Sequence, residues 1–121
     1  MSTIKLYGIP NCDTVKKAIN WLNNKEITFE FHDYKKEGIT ASKLKEWCKQ
    51  KDWEILFNKK SSTWKKEMAA YEGVVKNQSA AIKIMQEHNS IIKRPILEIN
   101  NELIVGFDEN EYLEKILNHK H

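Results

Sequence analysis

Cys12 is the residue of this chain best placed to carry out chemistry. It follows an apolar stretch that is interrupted by Gly8 and Pro10, and a helical pattern of apolar residues begins directly after it. The unpaired N–H groups and the positive dipole end of a helix stabilise a thiolate, which is the reactive form of cysteine. The alternative is a small buried hydrophobic residue. Because Cys12 is flanked by the polar residues Asn11 and Asp13, we predict that it is a catalytic nucleophile.

Two charged neighbours act on this thiol in opposite directions. Lys16 lies one helical turn after Cys12, where its positive charge favours the thiolate. Asp13 disfavours the thiolate by like-charge repulsion, unless its carboxylate caps the helix. The residues therefore leave the net direction of the pKa shift open.

A single arginine is the second feature that indicates chemistry. The chain contains 20 basic residues, and Arg94 is the one arginine among the lysines. A guanidinium group holds an oxyanion or a carboxylate through two parallel hydrogen bonds, a geometry that lysine cannot match. Since Arg94 directly precedes Pro95, we predict that this pair provides a fixed anion contact. The alternative is an ordinary strand start with a surface arginine.

A polar loop at residues 58–63 offers a further cation. Lys59 and Lys60 lie there beside several hydroxyl side chains, and loop cations of this kind can bind a carboxylate or a phosphate-like group. We include Lys60 as a candidate anion-binding residue, with a solvated surface lysine as the alternative.

The second cysteine and the histidines have no such placement. Cys48 shares a helical stripe with Leu44 and Trp47, which predicts a structural core position rather than a disulfide partner for Cys12. The four histidines show no metal-ligand spacing, so no metal site is predicted. We expect His32 at the surface rather than in a catalytic role.

Composition limits the class of protein. The chain has 121 residues, of which 40% are hydrophobic and 31% are charged, as in a single soluble domain spanning residues 1–121. No stretch approaches the roughly 18–20 consecutive apolar residues of a membrane span, and we expect no signal peptide. Two widely spaced cysteines favour a reducing, cytoplasmic environment. A net charge of +3, with acidic and basic residues interspersed, gives little support for nucleic-acid binding.

Hydrophobic periodicity predicts the elements that must position the candidate residues. Strands are predicted at residues 4–7 and 27–31, with a helix from Asn11 to about Asn24 between them. This is a βαβ unit with a parallel strand pair. Residues 40–81 show helical segments without a convincing strand. Thr40 can cap the helix that carries Leu44, Trp47 and Cys48, and further helices are predicted around residues 64–71 and 79–88. A hairpin at 96–99 and 103–105 and a final helix, capped by Asp108 or Asn110, complete the chain.

This element order is that of an α/β, thioredoxin-like fold, β-α-β followed by β-β-α, with an inserted all-helical lobe at about residues 38–90. In such a sheet the junction between Arg94 and Pro95 lies against the helix start that bears the cysteine. A cis peptide bond at that junction would turn Arg94 toward the thiol. Position 15 is occupied by Val15, so the two-cysteine motif of thioredoxin-type redox proteins is missing and a disulfide cycle requires an external thiol.

Five blocks of sequence resemble the family of glutaredoxin-coupled arsenate reductases and Spx-type regulators, and in particular its arsenate-reductase-like subgroup of uncertain substrate. The blocks are residues 7–14, 31–34, 57–64, 92–95 and 105–107. The match extends over nearly the whole chain, and the combination is specific although each block alone is weak. The resemblance implies a thioredoxin-like fold with a helical insertion, a nucleophilic Cys12, Arg94 before a cis-proline, and glutathione or glutaredoxin as the electron source.

The departures from the family pattern concern the substrate. Members that reduce arsenate surround the cysteine with three arginines, whereas this chain has Lys60 near the second position and the uncharged Phe107 near the third. Spx-type regulators, which bind RNA polymerase, carry a second cysteine where this chain has Val15. We therefore expect a thiol-dependent reductase, with an Spx-like regulator that binds RNA polymerase as the alternative.

The expected site consists of one nucleophile and a set of anion-binding residues. Its members are Cys12 as nucleophile, with Arg94, Lys60, Asn11, Thr14 and Pro95 around the bound anion. No bound cofactor is expected, and glutathione acts as a co-substrate.

Overall fold

A computed structural model of the chain describes residues 3–59, 64–66, 75–100 and 102–118. The chain divides into two compact units, one formed by Met1–Glu37 with Arg94–His121 and the other by Gly38–Lys93. The strands are β1 (Ile4–Gly8), β2 (Glu30–Asp33), β3 (Ile96–Ile99) and β4 (Glu102–Val105). The α-helices are α1 (Asp13–Asn24), α2 (Tyr34–Glu37), α3 (Ala41–Cys48), α4 (Trp53–Leu56), α5 (Gln78–Glu87) and α6 (Glu109–Asn118).

The first unit contains a four-stranded mixed sheet. Its strand order is β2-β1-β3-β4, with β1 and β2 parallel and the other two pairs antiparallel. The first three elements form the predicted βαβ unit, and β3 and β4 form the predicted hairpin. The order of elements confirms the thioredoxin-like fold class.

The core of this unit lies on one face of the sheet, against α1 and α6. Strand residues such as Leu6 and Leu97, both fully buried, pack there with Leu22 of α1 and Tyr112 of α6. Successive strand side chains point to opposite faces, so Tyr7 and Glu98, which neighbour Leu6 and Leu97, project from the other face. One face of the sheet is therefore an apolar core and the other carries polar side chains.

The boundaries of two elements differ from those predicted. The strand predicted at residues 27–31 lies at Glu30–Asp33, because the chain first closes the end of α1 with a hydrogen bond from the Ile27 N–H to the Leu22 carbonyl at 2.9 Å. Pairing with β1 begins only at Glu30, opposite Lys5. The helix predicted from Asn11 begins at Asp13.

The second unit is helical where the structure describes it. Thr40 caps α3 by accepting a hydrogen bond from the Lys43 N–H, as predicted, and Asn77 caps α5 in the same way through the Ala80 N–H. An isolated antiparallel bridge joins Phe57 to Ile92. The helix predicted around residues 64–71 is described only at 64–66, where it is helical, and the remainder lies outside the described residues. Over the described ranges of the chain, no helix has the length and apolar character needed to cross a membrane.

Candidate active site

Cys12 lies at the junction between β1 and α1. It is the N-cap residue of α1, in an extended conformation with φ −103° and ψ 127°, whereas the helix was predicted to run from Asn11. Strand β1 ends at Gly8, where an added Cβ would lie 2.8 Å from the Cγ2 of Val15. Since Val15 is fully buried in the first turn of α1, Gly8 allows the strand end to pack directly against that turn. The half-buried Cys12 side chain is thereby held at the helix start.

The surroundings of Cys12 lower the pKa of its thiol. Partial burial is the largest single influence and raises the pKa, but the backbone N–H of Val15, the side chain of Arg94 and the backbone N–H of Thr14 each favour the thiolate by hydrogen bonding. The positive charge of Arg94 acts in the same direction. The two N–H groups belong to the first turn of α1, so the N-terminal end of the helix and Arg94 together favour the thiolate.

The charge that acts on the sulfur comes from a distant part of the chain. The residues left the shift open between Lys16 and Asp13, yet of the described side chains it is the charge of Arg94 that lowers the pKa of Cys12. Lys16 and Asp13 are both exposed, and Lys16 contacts Cys12 through its backbone N–H, which donates to the Cys12 carbonyl at 2.9 Å. Two residues separated by most of the sequence thus share one site.

The Arg94–Pro95 junction is hydrogen-bonded to Gly106, the first residue after β4. The peptide bond between the two residues is cis, as the resemblance implied. The carbonyl of the buried Pro95 accepts a hydrogen bond from the Gly106 N–H at 2.8 Å, and the Gly106 carbonyl accepts one from the Tyr112 hydroxyl at 2.9 Å. Gly106 has φ +89°, a conformation that favours glycine. The half-buried Arg94 is therefore presented by a well-connected stretch of backbone.

The remaining predicted residues differ in their placement. Thr14 contributes through its backbone N–H, while its side chain is exposed. Asn11 is exposed in the turn that precedes Cys12. Lys60 lies outside the described residues. The described part of the site is therefore built around Cys12, Arg94, Pro95 and two backbone N–H groups.

Phe107 packs against other aromatic side chains. Its ring lies edge-on to Tyr112, with centroids 5.1 Å apart, and also faces Trp21 at 6.4 Å. The side chain is half-buried and packs against the core cluster that lies between the sheet and its two helices. This residue contributes an aromatic surface where arsenate-reducing relatives were expected to have an arginine.

Cys48 and His32 are the two residues for which no catalytic role was predicted. Cys48 is a free, half-buried thiol, and burial, followed by the negative charge of Asp52, raises its pKa. His32 is partly exposed, with 25% of its side chain accessible, and its ring centroid lies 4.8 Å from that of Tyr7. Its Nδ1 also lies 3.6 Å from a carboxylate oxygen of Glu37.

Sequence reasoning did not find the polar residues on the face of the sheet that bears Tyr7. The Tyr7 hydroxyl donates to the Glu98 carboxylate at 3.2 Å, and Tyr34 is 1% exposed beside them. Asp33 accepts a hydrogen bond from the Lys35 N–H at the start of α2 and so turns the chain where Tyr34 is placed. The sequence did contain a signal for this group, since Glu98 is the one polar residue in the otherwise apolar strand β3.

The described site has the parts needed for thiol chemistry. A cysteine with a lowered pKa supplies a nucleophile, and an adjacent guanidinium can neutralise an anionic group on the substrate or the developing charge on a leaving thiolate. Within the described ranges, no cluster of three or more histidine, cysteine, aspartate or glutamate residues could hold a metal ion.

Known proteins resemble this chain along most of its length. An uncharacterized protein of Haemophilus influenzae is 38% identical over 112 residues, which cover 90% of this chain and 95% of that protein. The global transcriptional regulator Spx 2 of Lactococcus lactis is 28% identical over 110 residues, covering 89% of this chain and 82% of the regulator.

Solved structures are also similar to this chain along most of its length. The structure of the YffB (PA3664) protein is similar with a TM-score of 0.87 and 38% identity, covering 93% of this chain and 97% of that one. An arsenate reductase related protein from Brucella melitensis has a TM-score of 0.72 and 39% identity, with 94% of both chains covered. The model of the ArsC family matches residues 7–115. With its thioredoxin-like sheet and its helix-start cysteine beside Arg94, the chain belongs to the ArsC family.

Proposed function

We propose that this protein is a thiol-dependent reductase in which Cys12 is the nucleophile and glutathione is the electron source. The observation that supports the proposal most strongly is the hydrogen bond and charge contact between Arg94 and the Cys12 sulfur at the start of α1. A thiolate prepared in this way attacks electrophilic sulfur readily. Membership of the ArsC family agrees with this chemistry.

The reaction is a pair of thiol–disulfide exchanges. The Cys12 thiolate attacks the glutathione sulfur of a mixed disulfide, a new bond forms between Cys12 and glutathione, and the substrate leaves as a thiolate that takes a proton from water. A second glutathione thiolate then attacks the glutathione sulfur of this intermediate and releases Cys12. The net reaction converts the mixed disulfide and one free glutathione into the substrate thiol and glutathione disulfide, whose other half comes from the mixed disulfide. Glutaredoxin can take the place of the second glutathione.

Arg94 has two roles in this scheme. Its charge stabilises the Cys12 thiolate before attack, and its guanidinium binds an anionic group of the substrate or of glutathione. Lys60, which the sequence places in the loop at residues 58–63, is a second candidate for the anion. One arginine offers far less neutralisation of an arsenate dianion than three, so we expect a mixed disulfide to be a better substrate than arsenate.

The test combines a thiol titration with an activity assay. The pH dependence of iodoacetamide alkylation is measured in a Cys48→Ser background, so that Cys12 is the thiol observed. The protein that retains Arg94 is compared with the Arg94→Ala variant. We expect Arg94→Ala to raise the pKa of Cys12 and to lower kcat/KM with a glutathione mixed disulfide roughly 10- to 100-fold, the effect of losing one charged hydrogen bond. An ordinary Cys12 pKa that is unchanged by Arg94→Ala would contradict the proposal.

A second candidate function is that of an Spx-like regulator that binds RNA polymerase. It is favoured by the similarity to the global transcriptional regulator Spx 2 over most of both chains. The buried Val15 argues against a redox switch of the two-cysteine kind, because no second thiol lies in the first turn of α1. Affinity capture from a cell extract separates the two functions. Recovery of RNA polymerase with both the natural chain and Cys12→Ser, together with no reductase activity, would favour the regulator.

A further inference from the structure

The last helix is connected to the Arg94–Pro95 junction through one hydroxyl group. Tyr112, in the first turn of α6, is fully buried in the apolar core. Its hydroxyl donates to the Gly106 carbonyl at 2.9 Å, and the Gly106 N–H donates to the Pro95 carbonyl at 2.8 Å. Both polar backbone groups of one glycine are therefore engaged, one by α6 and the other by the residue that follows Arg94.

The hydrogen bond at Pro95 lies just beyond the last residue pair of β3 and β4. That pairing ends with Ile96 opposite Val105. Pro95 and Gly106 therefore stand opposite each other one position further along. Two residues that bond at such a position in an antiparallel sheet exchange two hydrogen bonds, but proline has no N–H to donate. The bond from the Gly106 N–H is thus the one backbone hydrogen bond that this pair can form, and it belongs to the glycine that Tyr112 holds.

Hydrogen bonds rather than packing fix the orientation of Gly106. Its φ is +89°, and a Cβ built there would meet no described atom within 4 Å. The Tyr112 ring, by contrast, is held edge-on to Phe107 and Trp21, with centroids 5.1 and 5.8 Å away. Burial raises the pKa of Tyr112, so its hydroxyl keeps its proton and remains a donor. A fixed donor in the core thus orients a residue that has no side chain of its own to hold it.

We propose that Tyr112 is a positioning residue for Arg94, which it holds through the two hydrogen bonds at Gly106. This inference rests on the proposed function, because the position of Arg94 matters through the Cys12 thiolate. A guanidinium donates a hydrogen bond over a narrow range of distance and angle, and a shift of the backbone that carries it weakens that bond. Loosening the chain at the start of β3 should therefore reduce the stabilisation of the thiolate.

The experiment uses Tyr112→Phe in the Cys48→Ser background, which keeps the buried ring and removes only the hydroxyl. A weaker contact between Arg94 and the sulfur moves the alkylation midpoint of Cys12 to higher pH. We expect this rise together with a fall of about 3- to 10-fold in kcat/KM for a glutathione mixed disulfide, the effect of one hydrogen bond. A loss of thermal stability with an unchanged midpoint would show a merely structural role and would overturn the inference.

Hydrogen exchange measured by NMR tests the link at Gly106 directly. The Gly106 amide donates to Pro95, so its exchange should become faster by about 3- to 10-fold in Tyr112→Phe. The amide of Leu97, in the middle of the same strand pair, serves as the reference for changes in overall stability. Equal changes at both amides would contradict a specific connection between Tyr112 and the junction.

Gly106→Ala disturbs the same link without touching the buried tyrosine. The added methyl group enters open space as far as the described atoms are concerned, so the effect comes from the backbone, because alanine disfavours a φ of +89°. We expect the midpoint of Cys12 to rise in this variant as well. It also provides the test if Tyr112→Phe folds poorly. An unchanged midpoint in either variant, once folded, would overturn the inference.

The matched control breaks a different contact between the same two elements. Lys115 of α6 lies 3.1 Å from a carboxylate oxygen of Glu102, which begins β4 at the end away from Gly106. Lys115→Gln removes this partly exposed ion pair, and it should leave both the midpoint of Cys12 and the exchange of the Gly106 amide unchanged. A rise equal to that in Tyr112→Phe would overturn the inference, because the effect would then come from general loosening of α6.

A double-variant cycle with Arg94→Ala distinguishes failure of this inference from failure of the proposed function. With the guanidinium absent, Tyr112→Phe should no longer raise the midpoint of Cys12, while exchange at Gly106 should still become faster. If Arg94→Ala raises the midpoint but Tyr112→Phe does not, then the proposed function stands and the positioning role is wrong. If Arg94→Ala itself leaves the midpoint unchanged, the proposed function is wrong, and exchange at Gly106 alone then decides whether Tyr112 holds the junction.

Discussion

The two cysteines of this chain occupy opposite ends of their helices. Cys12 caps the N-terminus of α1, whereas Cys48 is the last residue of α3. Both are free and half-buried, so exposure does not explain their difference. The pKa of Cys12 is lowered, because hydrogen bonds and the charge of Arg94 outweigh its burial, whereas the pKa of Cys48 is raised by burial and by Asp52.

The comparison shows that the reactivity of a thiol depends on the groups that face its sulfur. The N-terminal end of a helix presents N–H groups and positive potential, and the C-terminal end presents carbonyl groups and negative potential. In this chain, a cation lies beside the first thiol and an anion acts on the second. Both neighbours strengthen the difference that helix position alone would produce.

The largest expected effect is the loss of activity when the Cys12 thiol is removed. Cys12→Ser should reduce turnover of a glutathione mixed disulfide at least about 100-fold, because a serine hydroxyl is a very weak nucleophile at neutral pH. Cys48→Ser, the matched control, should change turnover by less than about twofold. The initial rate of glutathione disulfide formation measures both. Similar losses in the two variants would show that the thiols act together and would end the distinction between them.

A smaller effect is expected when the packing beneath Cys12 is changed. In Gly8→Ala, the new Cβ would lie 2.8 Å from a methyl group of the buried Val15, so the first turn of α1 must move. We expect a loss of about 1–3 kcal/mol in the free energy of unfolding, as for overpacking in a core. The pKa of Cys12 should also rise, since the Val15 N–H that favours the thiolate is displaced.

The control for Gly8→Ala is the double variant Gly8→Ala/Val15→Ala, which removes the methyl groups involved in the clash. A double-mutant cycle from denaturant unfolding should show a favourable coupling between the two substitutions. Additive losses would mean that the close approach of Gly8 and Val15 does not position the helix start.

Local patterns in the sequence were sufficient to predict most of the fold. Apolar periodicity and capping residues predicted β1, α1, α3 and the hairpin, and Asp108 accepts a hydrogen bond from the Glu111 N–H at the start of α6, as expected. The predicted start of β2 was wrong. Apolar and polar residues alternate from residue 27, but hydrogen-bonded pairing with β1 begins only at Glu30. Ladder boundaries depend on tertiary pairing, which a single strand does not encode.

The candidate site was harder to predict from the sequence than the fold. The residue types alone indicated Cys12 and Arg94, but the direction of the pKa shift depended on a contact between residues far apart in the chain. Tyr34 and Glu98 were missed, because a polar residue that alternates with apolar ones in a strand is typical of a solvent-exposed face. Here that face holds the nearly inaccessible side chains of Tyr7 and Tyr34.

The smallest expected effect concerns the thiol at the end of α3. Burial is the larger reason for the raised pKa of Cys48, and the carboxylate of Asp52 adds to it. Asp52→Asn should therefore lower that pKa only in part and increase the alkylation rate of Cys48 by less than about twofold, measured in a Cys12→Ser background. Asparagine can still accept the hydrogen bond from the Glu54 N–H that Asp52 accepts at the start of α4, so the local fold should be retained.

Glu54→Gln, which neutralises an exposed carboxylate two residues along, is the control and should leave the alkylation rate of Cys48 unchanged. If Asp52→Asn leaves the alkylation rate of Cys48 unchanged, then shielding of the sulfur alone sets that rate, and electrostatics explains the difference between the two thiols only at Cys12.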